Sequence, residues 1–316
     1  MTAHPPHRVA VLGGTGCVGR HVCAAFAERG ARVVAIARRE VPQPPGHRFL
    51  SLDVGRTTAS ELASVLAEEG VDTVVNATLG WGGSEEEMTR ANLRPVERLL
   101  AALRLLPGSV RLLQLGSVHE YGPLPRGAAT GEDVTPDPVS LYGRSKLAAS
   151  RLVLDAVRRG ECRGTVLRMT NTIGPHPSME TFLGSLAVRL RQADPAEGLD
   201  ITVAPARRDY VDVRDAAAAV CDAAALEVPE PVFNIGSGQA VDIQELVRTL
   251  VAISGLPPES VRMRRAEVRS QSPGADWVEV DASLARRRLG WQPRYSLPES
   301  LRAMWDTVGG QAAEKV

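Results

Sequence analysis

Three glycines, Gly13, Gly16 and Gly19, stand where a short apolar run passes into a longer helical pattern. At such a junction each has a physical job: a tight turn, close approach of backbone to a pyrophosphate, and close packing of helix on sheet. A glycine-rich run by itself is an ordinary turn. Here residues 8–12 read as a buried strand before it, and residues 18–29 as a helix after it, which is the context a dinucleotide loop requires. The alternation then repeats. Runs at 32–37, 47–52, 72–76, 110–116 and 164–168 predict strands, and apolar residues at three- and four-residue intervals predict helices over 57–69, 84–105 and 141–158. Strands alternating with helices of this length imply right-handed crossovers and a mainly parallel sheet covered on both faces.

The predicted fold is therefore α/β: a Rossmann-like doubly wound parallel sheet over 1–173, then a smaller mixed α/β region over 174–316. Segments at about 208–235 are expected to return from the second part to the first. Recurrent prolines after Gly174 break this second region into short pieces, and loops on a rigid scaffold are where binding residues sit.

Composition removes several function classes. Lys and Arg together number 37, as do Asp and Glu, so a net positive face for nucleic acid or an anionic membrane is not expected. No apolar run approaches the roughly 20 residues that span a bilayer, and the first eight residues lack a signal-peptide pattern, so a cytoplasmic location is expected. Cys17, Cys23, Cys162 and Cys221 are scattered through apolar patterns, form no paired motif and read as buried free thiols; no metal site is expected. The basic residues are also lopsided in type: only Lys146 and Lys315 are lysines.

Cofactor choice turns on the end of the second strand. Ala37-Arg38-Arg39 lacks the acidic residue that holds the ribose of NAD, whereas Arg38 and Arg39 suit the extra 2′-phosphate of NADP(H). Thr15, Cys17 and Val18 complete the glycine loop, and Asp53, Val54, Ala77, Thr78 and Asn92 are further candidate cofactor contacts at later strand ends and helix. Asp53 reads equally as an adenine contact or a helix N-cap.

Tyr142 and Lys146 lie four apart in a predicted helix and so share a face, where the ammonium is expected to favour the phenolate. Ser117 ends the fifth strand, at the ligand side of a parallel sheet, while His119 and Glu120 read equally as solvated loop positions.

With these motifs the chain resembles the extended short-chain dehydrogenase/reductase family, in its nucleotide-sugar branch. The resemblance also rests on 167–175, Arg208-Asp-Tyr-Val-Asp-Val-Arg-Asp215, Phe233-Asn-Ile-Gly-Ser-Gly238, and Asp281 with Leu289-Gly-Trp-Gln-Pro293. It implies a catalytic Ser117, Tyr142 and Lys146, a supporting Asn92, and sugar-nucleotide contacts from Ser117, Val118, His119, Asn171 and Arg208; Arg269 is a further candidate for the diphosphate. Dehydratases of the branch carry an Asp-Glu pair where this chain has Val118 and His119, and its epimerases commonly have His where it has Asp212. Those departures look like the 4-ketoreductases, with GDP-4-keto-6-deoxymannose reductases the nearest resemblance. The implied activity is NADPH-dependent reduction of a TDP- or GDP-linked 4-keto-6-deoxyhexose in deoxysugar biosynthesis, by a homodimer joined through a four-helix bundle. An epimerase holding NAD between turnovers, and a silent NADP-sensing or RNA-binding relative, are the alternatives.

Overall fold

The computed structural model describes residues 8–41, 47–266 and 276–311; Arg269 lies outside them. Seven strands form one sheet: β1 (Arg8–Leu12), β2 (Arg32–Ala37), β3 (His47–Ser51), β4 (Thr73–Asn76), β5 (Arg111–Ser117), β6 (Arg163–Met169) and, from the second half of the chain, the strand Val232–Ile235. Their order is β3-β2-β1-β4-β5-β6 followed by Val232–Ile235, and every neighbouring pair is parallel.

Side chains alternate across a strand, so a sheet covered on both faces needs apolar residues at consecutive positions. In β1, Val9 and Val11 enter one core with Phe26, Val75, Leu113 and Phe233, while Ala10 and Leu12 enter the other with Leu62, Leu66, Leu99 and Val153. The first core lies under helix α1 (Cys17–Glu28), the second under α2 (Ala59–Glu68), α4 (Arg94–Leu103) and α5 (Leu141–Arg158). The long helix expected over 84–105 is interrupted. A short α3 (Glu85–Met88) passes into a π-helical segment, Thr89–Leu93, before α4 begins. Such insertions are frequent at functional sites, and this one carries the buried Asn92.

The remaining chain builds a second layer. Strand β7 (Asn171–Ile173) pairs in parallel with the Tyr210–Asp212 end of Arg207–Asp212, whose beginning is flanked by Ala240–Asp242 on one side and Trp277–Val278 on the other. Helices Phe182–Gln192, Ile243–Ser254 and Leu297–Gln311 enclose a third core around Leu186, Leu190, Ile201, Leu246, Leu250 and Leu301. Acidic side chains in the Arg208–Asp215 motif stitch the layers. Asp209 is buried and accepts the Ser237 and Gly238 N–H groups and the Ser237 hydroxyl, fixing the turn after Val232–Ile235. Asp212 caps helix Val213–Ala224 and pairs with Arg214, and Asp215 accepts the Arg294 and Tyr295 N–H groups.

Two glycines make the β1–α1 junction possible. Gly13 has φ +77°, which favours glycine, and a Cβ on it would sit 2.8 Å from the Ala77 carbonyl oxygen. A Cβ on Gly19 would lie 2.1 Å from the Gly13 carbonyl oxygen, a rigid backbone atom. Gly19→Ala is therefore expected to cost at least the roughly 1–3 kcal/mol of an overpacked site and to lower cofactor affinity. Thermal melts with and without NADP(H) check it; an unchanged melt and an unchanged cofactor-dependent shift would remove this role from Gly19.

Candidate active site

Strand order reverses between β1 and β4, and the crevice of an open parallel sheet lies at that point. Gly16 is the N-cap of α1, its cap is filled by no side chain, and the first turn holds no acidic residue. The N–H groups at Cys17, Val18 and Gly19 are thus available to an anion, with the helix dipole aiding it. Gly16 closes the turn beneath them through its N–H to the Gly13 carbonyl at 3.0 Å, and Thr15 sits at the tip. The positions where a Cβ is excluded and the uncapped helix end together make a cradle that fits a dinucleotide pyrophosphate.

Its rim is built from strand ends. Arg38 and Arg39 follow the last residue of β2 and are both exposed, and the Arg38 carbonyl accepts the Ser51 hydroxyl at 3.3 Å. Asp53 accepts the Gly55 N–H at 3.0 Å beside a buried Val54. It does not cap α2. Thr58 does, in a capping box with Glu61, because a turn at 53–57 separates Asp53 from the helix. After β4, Ala77 donates its N–H to the Leu12 carbonyl, and Thr78 binds Asn76 Oδ1 through both N–H and hydroxyl.

The neighbouring cluster sits on one face of α5. Tyr142, Lys146 and Ser150 are successive i, i+4 positions, so they form a line along the helix. Ser117 stands close enough to the Tyr142 hydroxyl to lower its proton affinity, and the buried Lys146 donates from Nζ to the Leu115 carbonyl at 2.7 Å. Gly143 permits this closeness, since a Cβ there would be 2.4 Å from the His119 carbonyl oxygen. Asn92 ties the loop after β4 to the same helix. It accepts the Gly80 N–H at 3.2 Å, donates to the Gly80 carbonyl at 3.1 Å and reaches Ser145 Oγ at 3.3 Å.

Electrostatics depart from expectation at Tyr142. Burial pushes its hydroxyl up to about 12, the Ser117 hydrogen bond opposes this, and the Glu120 charge adds to it. Desolvation outweighs any pull of Lys146 toward the phenolate, so the resting group is a neutral phenol. Burial also brings Lys146 down to about 8, with Glu120 working against the fall. His119 is pushed down to about 4 by burial and then by Arg208, and its ring stands edge-on to Tyr142 at 5.9 Å.

Of the expected sugar-nucleotide contacts, Ser117 and His119 meet Tyr142 and Arg208 acts on His119, whereas Val118 is buried in a small apolar cluster with Tyr121, Val278 and Val280. Asn171 starts β7 and donates to the Asp209 carbonyl at 3.1 Å, beside Arg208. Three residues of the cluster escape sequence reading. Trp81, still 46 % exposed, stacks on Tyr142 with ring centroids 4.5 Å apart. Arg168 and Glu120 form a buried ion pair at 3.0 Å. Glu120 is fully buried, so the solvated-loop reading of that position is overturned. One signal for it was present: Ser117-Val-His-Glu120 has capping-box spacing, and the structure contains that box.

Comparison with known proteins agrees with this geometry. The family model "NAD dependent epimerase/dehydratase family" matches residues 9–236. The chain is 39% identical over 304 residues to dTDP-6-deoxy-L-talose 4-dehydrogenase (NAD(P)(+)) of Kitasatospora kifunensis, covering 95% of each. It is 32% identical over 223 residues to GDP-6-deoxy-D-mannose reductase of Pseudomonas aeruginosa, covering 67% of this chain and 70% of that protein. Among solved structures, MoeE5 in complex with UDP-glucuronic acid and NAD superposes with a TM-score of 0.82 at 26% identity, over 96% of this chain and 99% of that one. No helix among the described residues is long and apolar enough to cross a membrane. By these matches and the dinucleotide crevice beside its Tyr-x-x-x-Lys helix, the chain belongs to the NAD(P)-dependent epimerase/dehydratase family of extended short-chain dehydrogenases/reductases, in its nucleotide-sugar branch.

Proposed function

We propose that the chain is an NADPH-dependent 4-ketoreductase acting on a nucleotide-linked 4-keto-6-deoxyhexose, with thymidine diphosphate as the nucleotide. The observation that carries this reading is the placing of the Tyr142 phenol beside Ser117 and on one helix face with Lys146. A phenol held protonated is a proton donor, which reduction of a ketone needs. The relative of 39% identity is named as a 4-dehydrogenase of a dTDP-6-deoxy sugar, and its reaction reversed is such a reduction.

NADPH, when bound, supplies the hydride that adds to C4 of the ketone. Tyr142 gives its proton to the oxygen on C4 as the carbon–oxygen double bond becomes a hydroxyl. Ser117 donates to the same oxygen, orienting the carbonyl and stabilising charge as it develops. Lys146, as an ammonium, holds the cofactor ribose and lowers the cost of the transient phenolate. Elimination of water is disfavoured, because Val118 and His119 supply no acid–base pair and the Glu120 carboxylate is turned into the protein by Arg168 and Ser150.

Three measurements test the reading. Tyr142→Phe is expected to lower kcat by roughly 10²-fold or more, the size of lost general-acid help; full activity with NADPH and a TDP-4-keto-6-deoxy sugar would sink it. Arg38→Ala is expected to raise the KM for NADPH by roughly 10-fold or more while sparing NADH, since a hydrogen bond to a charged group contributes about 1.5–3 kcal/mol; equal effects on both would make Arg38 a surface residue. Because Lys146 titrates near 8 and works as the cation, reduction should fall as pH rises through that value, and a rate flat to pH 10 would contradict it. The epimerase reading predicts firmly retained NAD in the purified protein, whereas the reductase reading predicts exchangeable NADP(H).

A further inference from the structure

The stripe on α5 does not stop at Lys146. One turn further along, Ser150 donates its hydroxyl to Glu120 Oε1 at 2.9 Å. The same oxygen accepts the Ser117 N–H at 2.8 Å, and Oε2 accepts Arg168 Nε at 3.0 Å. A protonated carboxyl would need an acceptor for its own O–H. The Ser117 N–H and the guanidinium can only donate, and the Ser150 hydroxyl is the one partner that could also accept, so the arrangement favours a carboxylate. Space has been cleared for it too: a Cβ on Gly116 would stand 2.6 Å from Glu120 Oε1.

We propose that Glu120 is a positioning residue that acts through Ser117 and Lys146. Its buried carboxylate locks the backbone of Ser117 and is the counter-charge that keeps Lys146 an ammonium inside a closed site. The proposal rests on the reading of Ser117, Tyr142 and Lys146 as the reacting set.

Charges around Lys146 make the counter-charge necessary. From its own helix it meets Tyr142, a neutral phenol, and from β5 the Leu115 carbonyl, which offers a dipole and no charge. From the turn after β5 comes Glu120, and from β6, on the far side of that carboxylate, comes Arg168. His119 lies against Tyr142 with Arg208 beyond it, a second positive centre. Glu120 is therefore the anion that this side of the site presents, and burial alone drives a lysine toward the neutral amine. The pull of Glu120 on Lys146 runs against that burial; burial likewise pushes Glu120 up, and Arg168, the Ser117 N–H and Lys146 oppose it in favour of the carboxylate. Arg168 is itself held over the Tyr121 ring with Cζ 4.5 Å from its centroid, and the Tyr121 hydroxyl donates to Asn234 Oδ1 at 2.8 Å. The carboxylate is thereby braced from the far edge of the sheet.

The scarcity of lysine makes a direct test practical. Lys315 lies outside the described residues, and Lys315→Arg leaves Lys146 as the single lysine. In protein carrying ¹³Cε-lysine, the one remaining signal reports the Lys146 titration by NMR. The parent signal should titrate near 8. In E120Q its midpoint should fall by about one unit or more, a tenfold or larger change in proton affinity. The alkaline limb of kcat should move down with it while the KM for the sugar nucleotide changes little, and E120D should recover part of both. An E120Q midpoint equal to the parent's, or a lost rate with an unmoved pH profile, overturns the proposal. Should E120Q not fold, the parent titration decides, because a midpoint well below 7 would mean that no counter-charge acts. Failure of the reductase reading itself shows separately, as an active Tyr142→Phe, and leaves the lysine titration interpretable.

Discussion

A carboxylate and a guanidinium taken out of water must find every partner inside the protein, and the Glu120–Arg168 pair does so between β5, β6, α5 and the strand Val232–Ile235. Breaking a buried pair on one side typically costs about 3–5 kcal/mol, because the other charge is left behind. The surrounding geometry follows from that demand. Gly116 has no side chain where the carboxylate sits, Ser150 rather than an apolar residue faces it from α5, and the Tyr121 ring lies under the guanidinium with its hydroxyl tied to Asn234. Asn234 in turn accepts nothing loosely. Its side-chain amide donates to the Thr130 carbonyl and its backbone N–H to Glu132, so the strand Val232–Ile235 is joined to the loop before α5.

This network bears on how the two halves of the chain make one site. The first half supplies the crevice and the Ser117, Tyr142 and Lys146 cluster, and the second supplies a strand for the sheet and the Arg208 segment beside His119. Asp209, Asp212 and Asp215 lie on the segment that crosses between them, and all three are buried acceptors of backbone or arginine N–H groups. The Arg208–Asp215 motif is thus largely an anchoring device, with Arg208 the member that faces the cluster. Covering Tyr142 with Trp81 on one face and His119 on its edge keeps water from the phenol and accounts for its high proton affinity.

Much of the site was legible because it depends on spacing along one element. Gly13, Gly16 and Gly19 read correctly as a strand-to-helix turn, since strand periodicity before them and helical periodicity after them are local patterns. Tyr142 and Lys146 read as one face of a helix for the same reason. The interruption at Thr89–Leu93 did not read, because a π-helical segment keeps a helix-like apolar pattern and differs only in its hydrogen bonds. Asp53 read equally as an adenine contact or a helix N-cap, and the cap belongs to Thr58, whose partner Glu61 completes the capping box. Trp81 carried no local signal, because its stacking on Tyr142 exists only once the loop after β4 meets α5.

The sequence by itself determined the α/β alternation, the dinucleotide turn and the Tyr-Lys face, because each follows from the geometry of a single strand or helix. Only the tertiary structure decided the charge state of the site. Proton affinities at Tyr142, Lys146 and Glu120 depend on how much water is excluded and which distant charge stands nearby, and Glu120 and Arg168 are 48 residues apart in the chain. Burial, which no local spacing encodes, turned an apparent loop glutamate into an internal carboxylate and raised further the proton affinity of the tyrosine.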